Sequence, residues 1–242
     1  MKILAVIPAR YDSQRLAGKV LASIGNKPMV QWVYEAAVNS KVFTKVVVAT
    51  DSQLVADRVI DFGGEVEMTS SSHSTGTDRV AEVATRYPEF SVVVNVQGDQ
   101  PFVTSQMLQE LVTPYLEGES PEMTTLACPL NPDGYSDPNV VKVLCGQKQQ
   151  ALYFSRSPIP FYRNPIEVPV FHHLGLYAFR QDFLETYTQL PSTPVEQCEG
   201  LEQLRVLEHG YTIRICQTAN GVVEVNTAED LAKAQNLVLE TA

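Results

Sequence analysis

The chain has 242 residues, a formal net charge of −10 and 44% hydrophobic residues. That length and composition exclude disorder and allow one large or two closely joined domains around a substantial core. The acidic balance argues against a general binder of nucleic acid or of an anionic membrane, since both need broad positive fields, so an anionic ligand has to be met by a local cluster of cations.

No apolar stretch reaches the roughly 18 residues of a membrane span. The N-terminal run "ILAVIP" passes into charged residues without a signal-peptide cleavage pattern, so the expected location is the cytoplasm. Cys128, Cys145, Cys198 and Cys216 are widely spaced and form no C-x-x-C pair, which predicts buried free thiols with neither zinc nor disulfides.

In chain order, "ILAVI", "KVVVAT" and "SVVVNV" are near-continuous apolar runs, the pattern of strands buried on both faces of a parallel sheet. Between them "PMVQWVYEAAVNS", "SQLVADRVIDF" and "GTDRVAEVATRY" carry apolar residues at helical spacing and read as βαβ crossovers. "EVEMTS" reads as a further short strand, and "TSQMLQELVTPYL" as a helix capped by Thr104. After about residue 120 prolines cluster in "RSPIPFYRNPIEVPVFHH", with strand-like segments at "MTTLACPL", "VVKVLC" and "HHLGLYAF", so this part reads as a mixed insertion. Helices return at "QDFLETYTQL" and "EGLEQLRVLEHG", the latter closed by Gly210, followed by the strand "YTIRICQ". Asn220-Gly221 predicts a type I′ hairpin turn into "VVEV". The fold class is α/β.

Open parallel sheets bind ligands outside the carboxyl ends of their strands, which directs attention to the loops after "ILAVI" and "SVVVNV". The first, "IPARYDSQRLAGK", gathers Arg10, Arg15 and Lys19 around a glycine turn, as a polyphosphate would require, although a solvated charged loop has the same composition. It matches neither the dinucleotide fingerprint nor a P-loop. The second, "NVQGDQP", places Asp99 where a carboxylate could hold Mg²⁺ together with substrate phosphates, or could simply close its own turn. "HSTGTDR" opens a helix with Ser74, Thr75 and Thr77, either plain caps or a source of free N–H groups for a base edge or an anion. His73 has no partner at metal-ligand spacing.

"IPARYDSQRLAGK", "VVVATD", "FGGEVEMTS", "HSTGTDR", "VNVQGDQP", "DPNVVKV", "ALYFSRSPIP", "HHLGLYAFR" and "LEQLRVLEHG", in that order, resemble the 3-deoxy-manno-octulosonate cytidylyltransferases, also called CMP-Kdo synthetases. The resemblance implies a mixed, mostly parallel central sheet flanked by helices, of the Rossmann-like nucleotide-diphospho-sugar transferase type. It implies one cytidylyltransferase domain over residues 1–242, with the insertion at about 120–195 contributing to sugar binding and dimer contact. The implied reaction moves CMP from CTP to the anomeric hydroxyl of the eight-carbon acid sugar, releasing pyrophosphate, for lipopolysaccharide synthesis. Implied nucleotide contacts are Pro8, Ala9, Arg10, Arg15 and Lys19, then Ser74, Thr75, Gly76, Thr77 and Arg79, with Arg10, Lys19 and Asp99 catalytic. The acid sugar would meet Gln97, Arg156, His173, Tyr177, Glu202 and Gln203, and Mg²⁺ would meet Asp99 and Asn226. A cytoplasmic homodimer is implied as well.

Several positions depart from the family pattern. Ala17 and Val20 stand where prolines are common, Gln100 where glutamate is common, and Asn226 where an aspartate supplies a second carboxylate. Asn226 also reads as a helix N-cap three residues before Glu229. A cytidylyltransferase for a related acid (an 8-amino analogue, an acylneuraminate or a phosphonate) and a nucleotide-sugar-binding protein without turnover remain as rival readings.

Overall fold

The computed structural model describes residues 1–12 and 16–241, so Arg15 lies outside the described residues. In chain order the elements are β1 (Ile3–Pro8), β2 (Ser23–Ile24), β3 (Lys27–Pro28), α1 (Met29–Ser40), β4 (Lys45–Thr50), α2 (Gln53–Asp61), β5 (Val66–Met68), α3 (Gly76–Thr85), β6 (Val92–Asn95) and α4 (Ser105–Leu116). They continue with β7 (Met123–Pro129), β8 (Lys142–Cys145), β9 (Ala151–Ser155), β10 (Val170–Arg180), α5 (Gln181–Gln189), α6 (Pro194–Glu199), α7 (Leu204–Glu208), β11 (Ile213–Gln217) and α8 (Ala228–Thr241). The chain divides into two compact units, the first made of Met1–Gln109 and the residues from Val222 onward, the second of Glu110–Gly221.

In the first unit the predicted parallel strands pair in the order β5-β4-β1-β6. Leu4, Val6, Val48, Val93 and Val94 are wholly buried, which is why these strands read as continuous apolar runs. Helices α1, α2 and α3 pack on the sheet through Val30, Val33 and Ala37, Val55 and Val59, and Val80 and Val83, at helical spacing. The chain runs from β1 to β4 and β5 on one side and returns to β6 on the other, so the β1–β6 pair is the switch point of the sheet.

The loops leaving β1 and β6 are in contact there. Val96 N–H donates to Val6 O at 3.0 Å, and a Cβ on Gly98 would stand 2.8 Å from Pro8 O, closer than a side chain tolerates. Residue 98 is glycine because two backbones meet.

The segment before α8 completes this unit. Val225 is buried with Ile24, Met29 and Ala234, and its N–H donates to Asp99 O at 3.0 Å. The hairpin expected at Asn220-Gly221 does not form: neither residue has the positive φ that a type I′ turn needs, and no strand follows β11. One edge of β11 is taken by β7 in parallel register, and on the other Ile215 N–H donates to Gln149 O. Asn226 is not the cap of α8 either. Thr227 is, accepting from Asp230 N while Asp230 Oδ2 accepts from Thr227 N.

The second unit carries a mixed sheet in the order β11-β7-β10-β8-β9, parallel between β11 and β7 and antiparallel elsewhere. The helix expected over "EGLEQLRVLEHG" is broken by a left-handed Gly200, which leaves Glu202 and Gln203 in the turn before α7 rather than on a helix face. The four cysteines are free; Cys128 and Cys216 are buried as expected, but Cys145 is half-buried and Cys198 exposed.

Gly98→Ala should force the two loops apart at a cost of about 1–3 kcal/mol, the usual range for overpacking. Urea denaturation measures that cost; a wild-type midpoint would show that the loop contact has no strict requirement.

Candidate active site

A crevice of about 250 Å³ opens at the β1–β6 switch point, entirely within the first unit, and is lined by Pro8, Arg10, Lys19, the start of α3, Gln97, Gly98, Asp99 and Asn226. Arg10 is exposed on its rim, whereas Lys19 is buried. Lys19 Nζ donates to Asp99 Oδ2 at 2.7 Å and to Asn226 Oδ1 at 3.3 Å. Two of the three cations expected in the opening loop are therefore placed in one crevice with Asp99, which lies far along the chain.

Helix α3 presents its N-terminus to the same crevice. Thr75 is its cap: its hydroxyl accepts from Asp78 N at 3.1 Å, its own N–H donates to Asp78 Oδ2 at 3.2 Å, and Ser74 Oγ donates to the same carboxylate at 3.0 Å. Both hydroxyls and the Thr75 N–H thus serve the helix, and what the helix start offers a ligand is the backbone of Gly76. Thr77 is buried and accepts from Asn95 Nδ2 at 3.1 Å. Arg79 is also buried, donating to Asp51 Oδ2 at 2.8 Å and to Thr69 Oγ1, so its guanidinium is a fixed wall. His73 pairs with Glu82 at 2.5 Å.

Asp99 Oδ2 and Asn226 Oδ1 converge on one positive charge, the Lys19 ammonium. A pair of oxygen donors of this kind fits Mg²⁺, which commonly takes one or two protein ligands and completes its octahedron with phosphate oxygens and water. Among the described residues no three His, Cys, Asp or Glu side chains gather at metal-binding spacing, so most ligands of such an ion would have to come from substrate and water. Glu224, which the sequence reading passed over, stands beside this pair. Surrounding protein and the negative charge of Asp99 hold its carboxyl above the usual range, even though it keeps access to solvent.

In the second unit β10 is folded at Gly175, where φ is +68° and the register against β7 shifts between His173 and Tyr177. Four residues of regular strand would separate those side chains by about 13 Å. The bulge brings their rings to 5.6 Å. Thr125 Oγ1 donates to Leu176 O at 2.7 Å, so it accepts from His173 Nε2 at 2.9 Å; Nδ1 then accepts from Gln203 Nε2 at 3.4 Å, and Gln203 Oε1 accepts from Tyr177 O–H at 3.1 Å. This chain is satisfied only by a neutral imidazole, because a second ring N–H would confront an amide NH₂. Burial, assisted by neighbouring His172, pushes the His173 pKa down to about 3. Glu202 is held by Tyr187 O–H at 3.1 Å.

Arg156 is committed to the backbone. Nε donates to Glu199 O at 2.8 Å, Nη1 to Pro138 O at 2.9 Å and Nη2 to Gly200 O at 3.5 Å. Beneath it the buried Lys142 donates to the carbonyls of Asp137, Val140 and Arg156 at 2.9, 2.7 and 2.5 Å, and burial lowers its pKa from that of an ordinary lysine.

The cytidylyltransferase family model matches residues 4–215. The 3-deoxy-manno-octulosonate cytidylyltransferase of Acaryochloris marina is 64% identical over 97% of this chain and 96% of its own length. The enzyme of the same name from Synechococcus elongatus is 56% identical over 97% of each chain. The chain belongs to the 3-deoxy-manno-octulosonate cytidylyltransferase family. A solved CMP:2-keto-3-deoxy-manno-octonic acid synthetase complexed with CTP superposes with a TM-score of 0.96 at 39% identity, covering 100% of both chains. For a 3-deoxy-manno-octulosonate cytidylyltransferase the expected nucleotide residues that the structure describes, Pro8, Ala9, Arg10, Lys19 and the Ser74–Arg79 stretch, all fall in the first unit, as do Gln97, Asp99 and Asn226. Arg156, His173, Tyr177, Glu202 and Gln203 fall in the second.

The neutral His173 sets a pH dependence. Its folded pKa lies below the unfolded value near 6.5, so the unfolded state binds the extra proton, and the stabilisation is complete above that value and lost as pH falls towards 3. Each pH unit in that window should cost about 1.4 kcal/mol from this group. Urea denaturation of wild type and His173→Gln at pH 6.5 and 5.0 should show a steeper loss in wild type; parallel losses would mean the ring is not held neutral.

Proposed function

We propose that this chain transfers the cytidylyl group of CTP to the anomeric hydroxyl of 3-deoxy-manno-octulosonate. The sugar oxygen bonds to the α-phosphorus, the bridge to the β-phosphorus breaks with its electron pair going to pyrophosphate, and the hydroxyl proton is released. The observation that carries this reading is the crevice at the β1–β6 switch point, where Arg10, Lys19 and the start of α3 face Asp99 and Asn226 in a chain of this family. Its test is pyrophosphate release from CTP across 3-deoxy-manno-octulosonate, its 8-amino analogue, acylneuraminate and a phosphonate, with the first expected to dominate.

Joining an acid sugar to a triphosphate crowds negative charges together, so the protein's task is to supply cations and alignment. Arg10 and Lys19, with Arg15 from the same loop, hold the triphosphate against the backbone of Pro8 and Ala9. The α3 start, from Ser74 to Thr77, faces cytosine with its backbone at Gly76, and Arg79 stiffens that wall through Asp51 and Thr69. Asp99 and Asn226 hold Mg²⁺, which when bound neutralises charge at the reacting phosphate. Gln97, Arg156, His173, Tyr177, Glu202 and Gln203 recognise the sugar acid, with Arg156 bringing a fixed positive charge and the neutral His173 acting through hydrogen bonds rather than charge. The protein works in the cytoplasm, where CTP is available; among the described residues no helix is long and apolar enough to cross a membrane.

The second unit exposes Leu152, Phe161, Ile166 and Val168, with Phe161 at 91%. Exposed apolar side chains suit a contact with a second copy, and the proposed homodimer would use them. Phe161→Ser with Ile166→Ser should shift light-scattering mass from dimer to monomer; an unchanged dimer would move the contact elsewhere.

Lys19→Ala or Arg10→Ala should lower kcat/KM for CTP about 10- to 100-fold, the value of one charge-assisted bond to phosphate, with melting temperature little changed for exposed Arg10. Wild-type kinetics in both would remove the phosphate role. Asn226→Asp should lower the Mg²⁺ concentration for half-maximal rate, and an unchanged requirement would place the ion away from residue 226.

A further inference from the structure

Asn226 can serve a cation only through Oδ1. Its Nδ2 end carries two hydrogens and would repel a positive charge, and a half-turn of the amide exchanges the two ends. In this chain a neighbouring carboxylate makes the choice. Glu224 Oε2 accepts from Asn226 Nδ2 at 3.1 Å, and Glu224 Oε1 accepts from Gln100 Nε2 at 3.0 Å, while Asn226 Oδ1 accepts from Lys19 Nζ at 3.3 Å. A carboxylate only accepts, so the amide must turn its NH₂ towards Glu224 and its oxygen towards the cation.

The anchor points of this arrangement are fixed. Gln100 is 1% exposed, Val225 is wholly buried, and Val225 N–H is bonded to Asp99 O. Glu224 therefore links two neutral amides, that of Gln100 next to Asp99 on the β6 loop and that of Asn226 before α8. Thr227 rather than Asn226 caps α8.

We propose that Glu224 is a positioning residue of the nucleotide site, which holds the Asn226 amide with Oδ1 facing the cation beside Asp99. This rests on the reading that Asp99 and Asn226 hold the divalent cation. A carboxylate at 226 would present oxygen whichever way it turned. The dependence on Glu224 therefore belongs to an asparagine at this position and should vanish with Asn226→Asp.

The experiment measures Mn²⁺ affinity of the full chain in the presence of CTP, by water-proton relaxation, for wild type, Glu224→Gln, Asn226→Asp, the double variant and Asp99→Asn, with melting temperatures recorded for each. Partners that orient metal ligands are commonly worth 10- to 100-fold in affinity, so Glu224→Gln should weaken Mn²⁺ about tenfold. In the Asn226→Asp background the same substitution should change it less than about twofold, a coupling that a general structural role would not produce. An equal loss in both backgrounds, or none in either while Asp99→Asn abolishes binding, overturns the role of Glu224 and leaves the metal reading standing. Unchanged binding in Asp99→Asn overturns both. Glu224→Ala repeats the comparison if Glu224→Gln melts below the assay temperature.

Discussion

The nucleotide site depends on one buried ammonium. Lys19 Nζ sits between oxygens of residues 80 and 207 positions away in the sequence, and so joins the turn after the cationic loop, the loop after β6 and the segment leading into α8. A lysine withdrawn from water to this extent needs oxygen partners, or it would leave the crevice. The same requirement suits the proposed chemistry. In the proposed reaction an entering triphosphate would bring oxygens to take over Lys19, and the carboxylate of Asp99 would become available to Mg²⁺.

The two buried lysines are held differently. In the first unit, Lys19 and Arg79 are matched by carboxylates, Asp99 and Asp51. In the second, buried Lys142 and partly buried Arg156 are matched by backbone carbonyls, three each, while Arg205 pairs with Glu196. Carbonyls bring partial charge only, so the charge of Lys142 is spread over three backbone dipoles, whereas that of Lys19 meets a bonded carboxylate. The burial of His173 completes the contrast, since its neutral ring adds directional hydrogen bonding to that environment without adding charge.

The parallel half of the fold was legible because its information is local: apolar runs of strand length, helical periodicity between them, and caps such as Thr75 and Thr104 all lie within a few residues. The cationic loop was legible for the same reason. The failures are non-local. Asn220-Gly221 has the composition of a hairpin, yet the edge beside β11 is already occupied by residues near Gln149. "EGLEQLRVLEHG" has helical periodicity, yet Gly200 takes a left-handed conformation and breaks it. Glu224 could not have been found from local pattern, because its partner Gln100 is 124 residues away. The sugar set rested on resemblance alone, since a bulge that folds His173 towards Tyr177 leaves little trace beyond one glycine.

The discontinuity of the first unit bears on how the protein is made. Synthesis proceeds from the N-terminus, and domains generally fold as units while the chain emerges. The parallel strands of the first unit are complete by Asn95, but Val225, Asn226 and α8 arrive only after the whole of Glu110–Gly221 has been translated. Until then Ile24 and Met29 lack part of their apolar cover, and Lys19 has one oxygen partner instead of two. A ribosome-bound chain that has not released its last residues therefore holds an unfinished nucleotide crevice, and translation itself times the moment at which the protein becomes competent.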